Sequence, residues 1–299
     1  MKKVAVIFGG SSDEREVSMH TGLSVVDAIK DDYVVIPIEI EEDYKTLHTQ
    51  LIDIDLVFIA LHGDYGEDGR LQKYFNDYSI TYTGSDYEAS SIAMDKNQTK
   101  IIAQKNKIPV LEWIMLEKDT GYDLGKIKFP LIIKPNTGGS TIGLYYIEDL
   151  IDFNNKIQKV FMHYPSIMAE KYIKAREISV PIVDGQVLPS IEIHPKGFLY
   201  DYDSKYKSNG SKYTVPANIH HSISRKISDS ALLIYKKIGC RHYARVDFLL
   251  DSKNNYYLLE INTLPGLTAT SLLPKSAKSI GLSYRDLVIK IITLAMLDK

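Results

Sequence analysis

The sequence predicts an α/β protein built from more than one module, and three observations carry that reading. From Lys3 to about Ser85, short apolar runs (Val4 to Phe8, Tyr33 to Ile40, Asp55 to Leu61) alternate with helical patterns such as Val17 to Ile29, the grammar of a small parallel α/β domain. Further along, apolar runs come in pairs about tight turns: Ile178 to Val183 and Gln186 to Ile193 flank Asp184-Gly185. Finally, 299 residues give room for two or three cores. The expected divisions are residues 1–85, 86–173 and 174–299.

The segment 86–173 begins with a helical stretch containing Lys96. Strands follow at Phe129 to Pro135 and Leu144 to Ile147, then a helix near Leu150 to Val160 and a strand at Ser166 to Glu170. In 174–299 the first hairpin is followed by Tyr200 to Ala217, polar and tyrosine-rich with no apolar period. Within a compact domain such a stretch is expected to be a lid, mobile when free and ordered by ligands. Next comes a helix with Ile223, Ile227, Ala231, Ile234 and Ile238 at spacings of four and three. The strongest hairpin pairs Tyr243 to Leu250 with Tyr256 to Asn262 around Asp251-Ser252-Lys253-Asn254-Asn255.

Charge narrows the partners. Lys plus Arg number 36 against 38 Asp plus Glu, a formal net charge of -2. No basic footprint for nucleic acid and no cationic face for a membrane results, so small-molecule partners are expected. A lone cysteine, Cys240, excludes an intrachain disulfide framework and any cysteine-based zinc site. No apolar stretch reaches the roughly 20 residues that span a bilayer. The opening Val4 to Phe8 run breaks at Gly9-Gly10 and is followed by charged residues, so it reads as a first strand rather than a secretory leader. A cytoplasmic protein is expected.

Chemistry concentrates in the last hairpin. Side chains alternate across a strand, so Arg245 and Asp247 share one face while Glu260 and Asn262 share one face of the partner strand. Alternation assigns Val246, Phe248, Leu259 and Ile261 to the opposite, buried face. A lone carboxylate there would read as a solvated sheet face. Asp, Glu and Asn together form a hard oxygen donor set, which suits Mg²⁺ better than zinc, and Mg²⁺ held by few protein oxygens usually also holds substrate phosphates. Lys134-Pro135-Asn136-Thr137-Gly138-Gly139-Ser140-Thr141-Ile142-Gly143 supplies a glycine- and hydroxyl-rich turn whose backbone N–H groups can close on an anion. It lacks the Gly-Lys-Ser/Thr ending of a P-loop, and Gly9-Gly10-Ser11-Ser12 lacks the spacing of a dinucleotide fingerprint.

In order along the chain, Gly9 to Ser18, His62-Gly63-Asp64-Tyr65-Gly66-Glu67-Asp68-Gly69, Met94-Asp95-Lys96, Lys134 to Gly143, Glu170 to Ile173, Asp201 to Tyr206, Ala244 to Phe248 and Glu260 to Thr268 resemble the D-alanine:D-alanine ligases of the ATP-grasp superfamily. The resemblance implies a three-domain ATP-grasp fold, with an N-terminal parallel α/β domain followed by central and C-terminal α+β subdomains. It also implies a homodimer, ATP and D-alanine as substrates, and two Mg²⁺ ions, with Mn²⁺ as the alternative. Lys96 and Lys134 then correspond to phosphate-contacting lysines, and Gly138, Gly139, Ser140, Thr141 and Ile142 to the flap over the triphosphate. Glu170 with the backbone of Lys171, Tyr172 and Ile173 corresponds to the adenine site and Glu177 to the ribose contact, with Lys205 and Leu259 completing the ATP set. Asp247, Glu260 and Asn262 correspond to the metal ligands. Arg245 and the Gly266 N–H correspond to the oxyanion stabilisers. Glu14 would orient the first D-alanine's ammonium near Val17, Ser18 and His62, Ser271 and Leu272 would take the second carboxylate, and Tyr206 would join Glu14 and Ser140 in closing the site.

The chain departs from the family pattern at Thr141, which keeps a hydroxyl, and at Gly138, where other members often carry a side chain and where a looser flap is expected. Leu199 stands where some members place an aromatic. His20, His48, His163, His194, His220, His221 and His242 receive no role. Tyr200, Tyr202 and Tyr213 are expected only to stiffen the lid. The alternatives are a ligase with another acceptor, such as D-serine or D-lactate, and a nucleotide-binding protein without catalysis.

Overall fold

Apolar runs too short for helices pair into three sheets, and the amphipathic segments between them cover the sheet faces. The computed structural model describes every residue except 13, 42–43, 119–121, 140–141, 196–210 and 299. In chain order its elements are β1 (Lys3–Gly9), α1 (Arg15–Ile29), β2 (Val34–Ile40), α2 (Leu47–Gln50), β3 (Leu56–Ile59), α3 (Arg70–Asp77), α4 (Tyr87–Met94) and α5 (Lys96–Lys105). Then come β4 (Trp113–Glu117), β5 (Leu131–Pro135), β6 (Tyr145–Ile147), α6 (Leu150–Phe161), β7 (Ser166–Lys171), β8 (Ala175–Val183), β9 (Gln186–Val187), β10 (Ile191–Pro195) and β11 (Ser211–Thr214). The chain ends with α7 (His221–Ile238), β12 (Tyr243–Asp251), β13 (Tyr256–Asn262), α8 (Leu272–Ser279) and α9 (Tyr284–Leu297).

The first sheet is parallel, in the order β2-β1-β3. Its central strand is buried on both faces, which is why Val4 to Phe8 is continuously apolar instead of alternating. The helix that ends the described chain packs here: Leu287, Val288, Ile291 and Ile292 of α9 share one core with β1, β3 and α1. A polar tie reinforces that docking. The buried His242 ring accepts the Gly84 N–H at Nδ1 (2.9 Å) and meets Asp298 through Nε2 at 2.8 Å. Since Nδ1 is an acceptor, the proton resides on Nε2 and the ring is neutral, in keeping with a pKa lowered by burial against the opposing pull of Asp298.

The four-stranded sheet, β4-β7-β5-β6, is antiparallel and covered by α6 through Phe153, Ile157, Val160 and Phe161. The larger sheet runs β11-β10-β8-β12-β13, with β9 on the end of β8. One of its faces buries Ile178, Val180, Val246 and Phe248 against α4, α5 and α7; α7 contributes Ile227, Ala231, Ile234 and Ile238, four of the five positions expected from its period. Asp184 and Gly185 turn the β8–β9 hairpin at φ 58° and 64°, as a type I′ turn requires.

Two expectations need correction. The stretch from Tyr200 to Ala217 is not irregular throughout: Ser211–Thr214 is a strand paired antiparallel with β10, because an edge strand can be polar on its open side. Residues 200–210 lie outside the described residues. The second concerns Leu259. A bulge between Asp247 and Phe248 sets Asp247 opposite Glu260 but Phe248 opposite Leu258, so Leu258 enters the core and Leu259 turns to the other side. A bulge shifts the alternation by one residue, which an undistorted two-residue period cannot anticipate.

Gly22, inside α1, tests how tightly the first core is packed. A Cβ there would lie 2.3 to 2.5 Å from three atoms of Phe8, including its Cβ. Alanine normally favours a helix interior by about 1 kcal/mol over glycine, whereas overpacking costs about 1–3 kcal/mol. The steric term wins because the clash is with the base of the ring, which cannot swing away. Gly22→Ala is therefore expected to lower the urea midpoint; an unchanged or raised midpoint would show that α1 can withdraw from β1.

Candidate functional site

Two cavities meet where the sheets face one another. The first, about 550 Å³, lies between the four-stranded sheet and the open face of the larger one. Lys96, Lys134, Gly138, Gly139 and Glu170 line it, as do Lys171 to Ile173, Glu177 and Leu259; Ser140, Thr141 and Lys205, also expected here, lie outside the described residues. Apolar walls come from Leu111, Ile132, Leu144 and Leu249, a pattern suited to a flat heteroaromatic ring with a few polar groups fixing its orientation. Lys171 to Ile173 lie where the chain crosses from one sheet to the other, with the Lys171 N–H donating to Glu112 O (2.9 Å) and the Tyr172 N–H to Pro130 O (3.3 Å).

The glycine loop is anchored on α5. Asp95 caps that helix by accepting from the Gln98 N–H, and Lys96 then reaches back to donate to Gly138 O at 2.6 Å. Asn136 accepts the Asn97 N–H through Oδ1 at 2.9 Å, and the Gly138 N–H points to Met94 Sδ at 3.2 Å. Gly138 sits at φ +113°. A side chain would be strained there, so the glycine at this position suits the backbone conformation observed.

Beneath the loop, Glu170 bridges two lysines. Its Oε2 accepts from Lys134 at 2.7 Å and its Oε1 pairs with Lys100, which sequence reading missed. Burial alone would raise the Glu170 carboxyl, but the two ammonium groups override it and hold the group at about 2. Lys100 itself is lowered by burial, with Glu170 opposing. Its spacing of four from Lys96 was the available signal, since both then lie on one side of α5.

The second cavity, about 460 Å³, is walled by α1, the loop after β3, and the start of α8. Glu14, Val17, His62, Arg245, Asn262 and Gly266 line it together with Ser271 and Leu272. Ser18 does not: one position along the helix from Val17, it faces the sheet, where its Oγ accepts from the Gly9 N–H and donates to Ala60 O, both at 2.8 Å. His62 is held by Thr21 at Nε2 (3.1 Å) and Glu67 at Nδ1 (3.2 Å). Burial pushes the Glu67 carboxyl up, against the His62 hydrogen bond and with help from the charge of Glu14. Glu67, His20 and Tyr213 also line this wall without having been assigned to it. The Gly66-Glu67-Asp68-Gly69 motif and the three-residue spacing of His20 from Val17 were the signals for the first two. Tyr206 lies outside the described residues.

Only Gly139 and Glu260, among the described residues, line both cavities. Glu260 stands opposite Asp247 and Asn262 opposite Arg245 in the β12–β13 register. Asp247, 2% exposed, lines neither cavity itself but stands directly beneath the residues that do. It accepts from Ser179 Oγ (2.6 Å) and from the Arg245 guanidinium at 2.8 to 3.0 Å. Among the described residues no group of three His, Cys, Asp or Glu forms a metal cage. Two carboxylates and an amide on adjacent strands nevertheless fit Mg²⁺, which takes few protein oxygens when phosphates complete its shell.

A cavity of about 550 Å³ under a glycine loop, joined through an oxygen-donor cluster to a polar cavity, fits the class of ATP-grasp ligases. Family models described as D-ala D-ala ligase N-terminus and C-terminus match residues 3–51 with 45–85, and 101–293. The chain belongs to the D-alanine:D-alanine ligase family. It is 38% identical over its whole length to the D-alanine--D-alanine ligase of Syntrophotalea carbinolica, covering 97% of that protein. The fold matches the Bacillus anthracis D-alanine--D-alanine ligase complexed with ATP at a TM-score of 0.90 and 33% identity, covering 100% of this chain and 98% of that one. It also matches the D-Ala:D-Ser ligase VanG of Enterococcus faecalis at 0.83 and 27%, covering 98% and 99%.

The Glu170 environment predicts an acid response. Because its folded pKa lies below the ordinary 4.5, its stabilising contribution is complete above about pH 4.5 and is lost as pH falls towards 2. The full term is on the order of 3 kcal/mol. Urea titrations between pH 6 and 3 are expected to show a shallower acid loss for Glu170→Gln than for the wild type. Parallel curves would contradict the ionised, doubly paired state.

Proposed function

We propose that this chain joins two D-alanines into D-alanyl-D-alanine, a precursor for bacterial peptidoglycan, with hydrolysis of ATP to ADP and phosphate. The observation that carries the reading is the meeting of the two cavities at Gly139 and Glu260. A nucleotide in the first places its terminal phosphate against a carboxylate in the second. The carboxylate oxygen of one D-alanine attacks that phosphorus, releasing ADP and leaving D-alanyl phosphate. The free amine of the second D-alanine attacks the acyl carbon, and phosphate departs as the amide forms.

Residue roles follow from charge and position. Lys96 and Lys134 take the phosphates, Glu170 with the Lys171 to Ile173 backbone takes the adenine, and Glu177 takes the ribose. Asp247, Glu260 and Asn262 would hold Mg²⁺, which would supply charge neutralisation for phosphoryl transfer. Glu14 attracts the first ammonium and His62 flanks it. Arg245 and the Gly266 N–H stabilise the oxyanion of the tetrahedral intermediate. Leu272, at the start of α8, offers its N–H to the second carboxylate, with Ser271 beside it, whose own N–H donates to Thr268 O at 2.9 Å. Closure by Tyr206 with Glu14 and Ser140 belongs to the same proposal. So do a homodimer, which sedimentation would measure, and a cytoplasmic location. Among the described residues no helix is long and apolar enough to cross a membrane.

ATP-dependent phosphate release is expected with D-alanine and not with L-alanine. Parallel assays with D-serine and D-lactate decide the acceptor, a question kept open by the likeness to a D-Ala:D-Ser ligase. Dominant mixed product with D-serine would overturn the D-alanine assignment.

Glu260→Gln is expected to abolish nearly all turnover with the fold intact by circular dichroism, because the amide keeps the shape and removes the charge that binds Mg²⁺. Arg245→Ala is expected to cost about 100- to 1000-fold in rate with a much smaller change in ATP affinity. Equal losses in rate and affinity would move Arg245 to a supporting role for Asp247.

A further inference from the structure

The floor of the nucleotide cavity holds one more charge than the roles above use. Lys100 is 0% exposed and does not line the cavity, yet its ammonium pairs with Glu170 Oε1 while Lys134 takes Oε2. Two buried ammonium groups thus share one carboxylate, leaving the trio a positive charge in excess. The Trp113 ring lies 5.6 Å from the Lys100 ammonium, and Glu260 acts on it at longer range, a charge that Mg²⁺ would take up in the proposed reading. A buried like charge is unfavourable, and a methionine of similar length would fill the space without desolvating an ion. An arrangement that keeps the lysine calls for a use of its charge.

We propose that Lys100 is a positioning residue for nucleotide binding: by occupying one oxygen of Glu170 it keeps that carboxylate from neutralising Lys134, whose charge then remains for the nucleotide's phosphates. The inference rests on the nucleotide reading of the cavity. With one lysine and one carboxylate, the pair would present a dipole whose field falls off steeply. With two lysines it presents a net charge, in a site where low polarisability strengthens the attraction. Lys134 borders the cavity and Lys100 lies behind Glu170, so the excess charge appears on the side where phosphates would bind.

Calorimetric titration with ADP and with adenosine separates this role from a packing role. The readout is the ratio of the two affinities, which cancels adenine contacts. Lys100→Met is expected to lower the ratio by about tenfold or more, because it leaves Lys134 neutralised. The Lys100→Met, Glu170→Gln double variant restores the original net charge and is expected to return the ratio to within about threefold of the wild type. It also removes both partners of a buried pair, which proteins tolerate better than removal of one. If Lys100→Met alone does not fold, Glu170→Gln provides the reference: it is expected to raise the ratio above the wild type, and the double variant to bring it back. A ratio unchanged in Lys100→Met, or one the double variant fails to restore, would overturn the proposal. Turnover of the wild type with D-alanine, measured on the same preparation, reports separately on the ligase reading.

Discussion

The antiparallel pairing of β12 with β13 constrains everything else in the site. It sets Asp247 opposite Glu260 and Arg245 opposite Asn262, so one ladder of backbone hydrogen bonds fixes the proposed metal ligands and the guanidinium together. The other side of the same strands carries Val246, Phe248, Leu258 and Ile261 into the core against α4, α5 and α7. Slipping the register by one residue would exchange the two faces, exposing that core and burying the charges. Packing therefore enforces the chemistry: the free energy that holds the sheet on its helices also holds Glu260 at the junction of the cavities.

Helix α5 links the core to the cation set. Its Thr99 and Ala103 are buried, and Ala103 packs in the core beneath the larger sheet, while Lys96 at its first turn anchors the glycine loop and Lys100 reaches Glu170. The two cavities differ in electrostatic character as their proposed contents do. Lysines converge on the nucleotide side. Glu14 and Glu67, with the latter's carboxyl raised by burial, line the other cavity, where the proposal places an amino-acid ammonium. Glu260 borders both.

The first sheet contributes Glu14 and His62 from loops at the carboxyl ends of β1 and β3, the usual place for ligands in a parallel sheet. The first sheet is packed against α9, and His242 ties Gly84 to Asp298 just after that helix. Ser18, though turned away from the cavity, ties β1 to the segment after β3 and so supports the loops that carry Glu14 and His62.

By itself the sequence determined the fold class, the hairpins and many of the residues that line the two cavities. Alternation over Arg245 to Asp247 and Glu260 to Asn262 is a local property of strands, and glycine-rich loops declare their backbone needs in composition. Three features were decided by tertiary structure. Leu259 belongs to the cavity because a bulge displaces the period, and a bulge depends on pairing between strands. Ser18 faces backbone, because which side of α1 meets the sheet depends on docking. Lys100 carries a helical spacing that matches any solvated lysine. Only the packing of α5 under the four-stranded sheet's Glu170 turns it into a buried ion, since burial and charge pairing are set by residues 70 positions away.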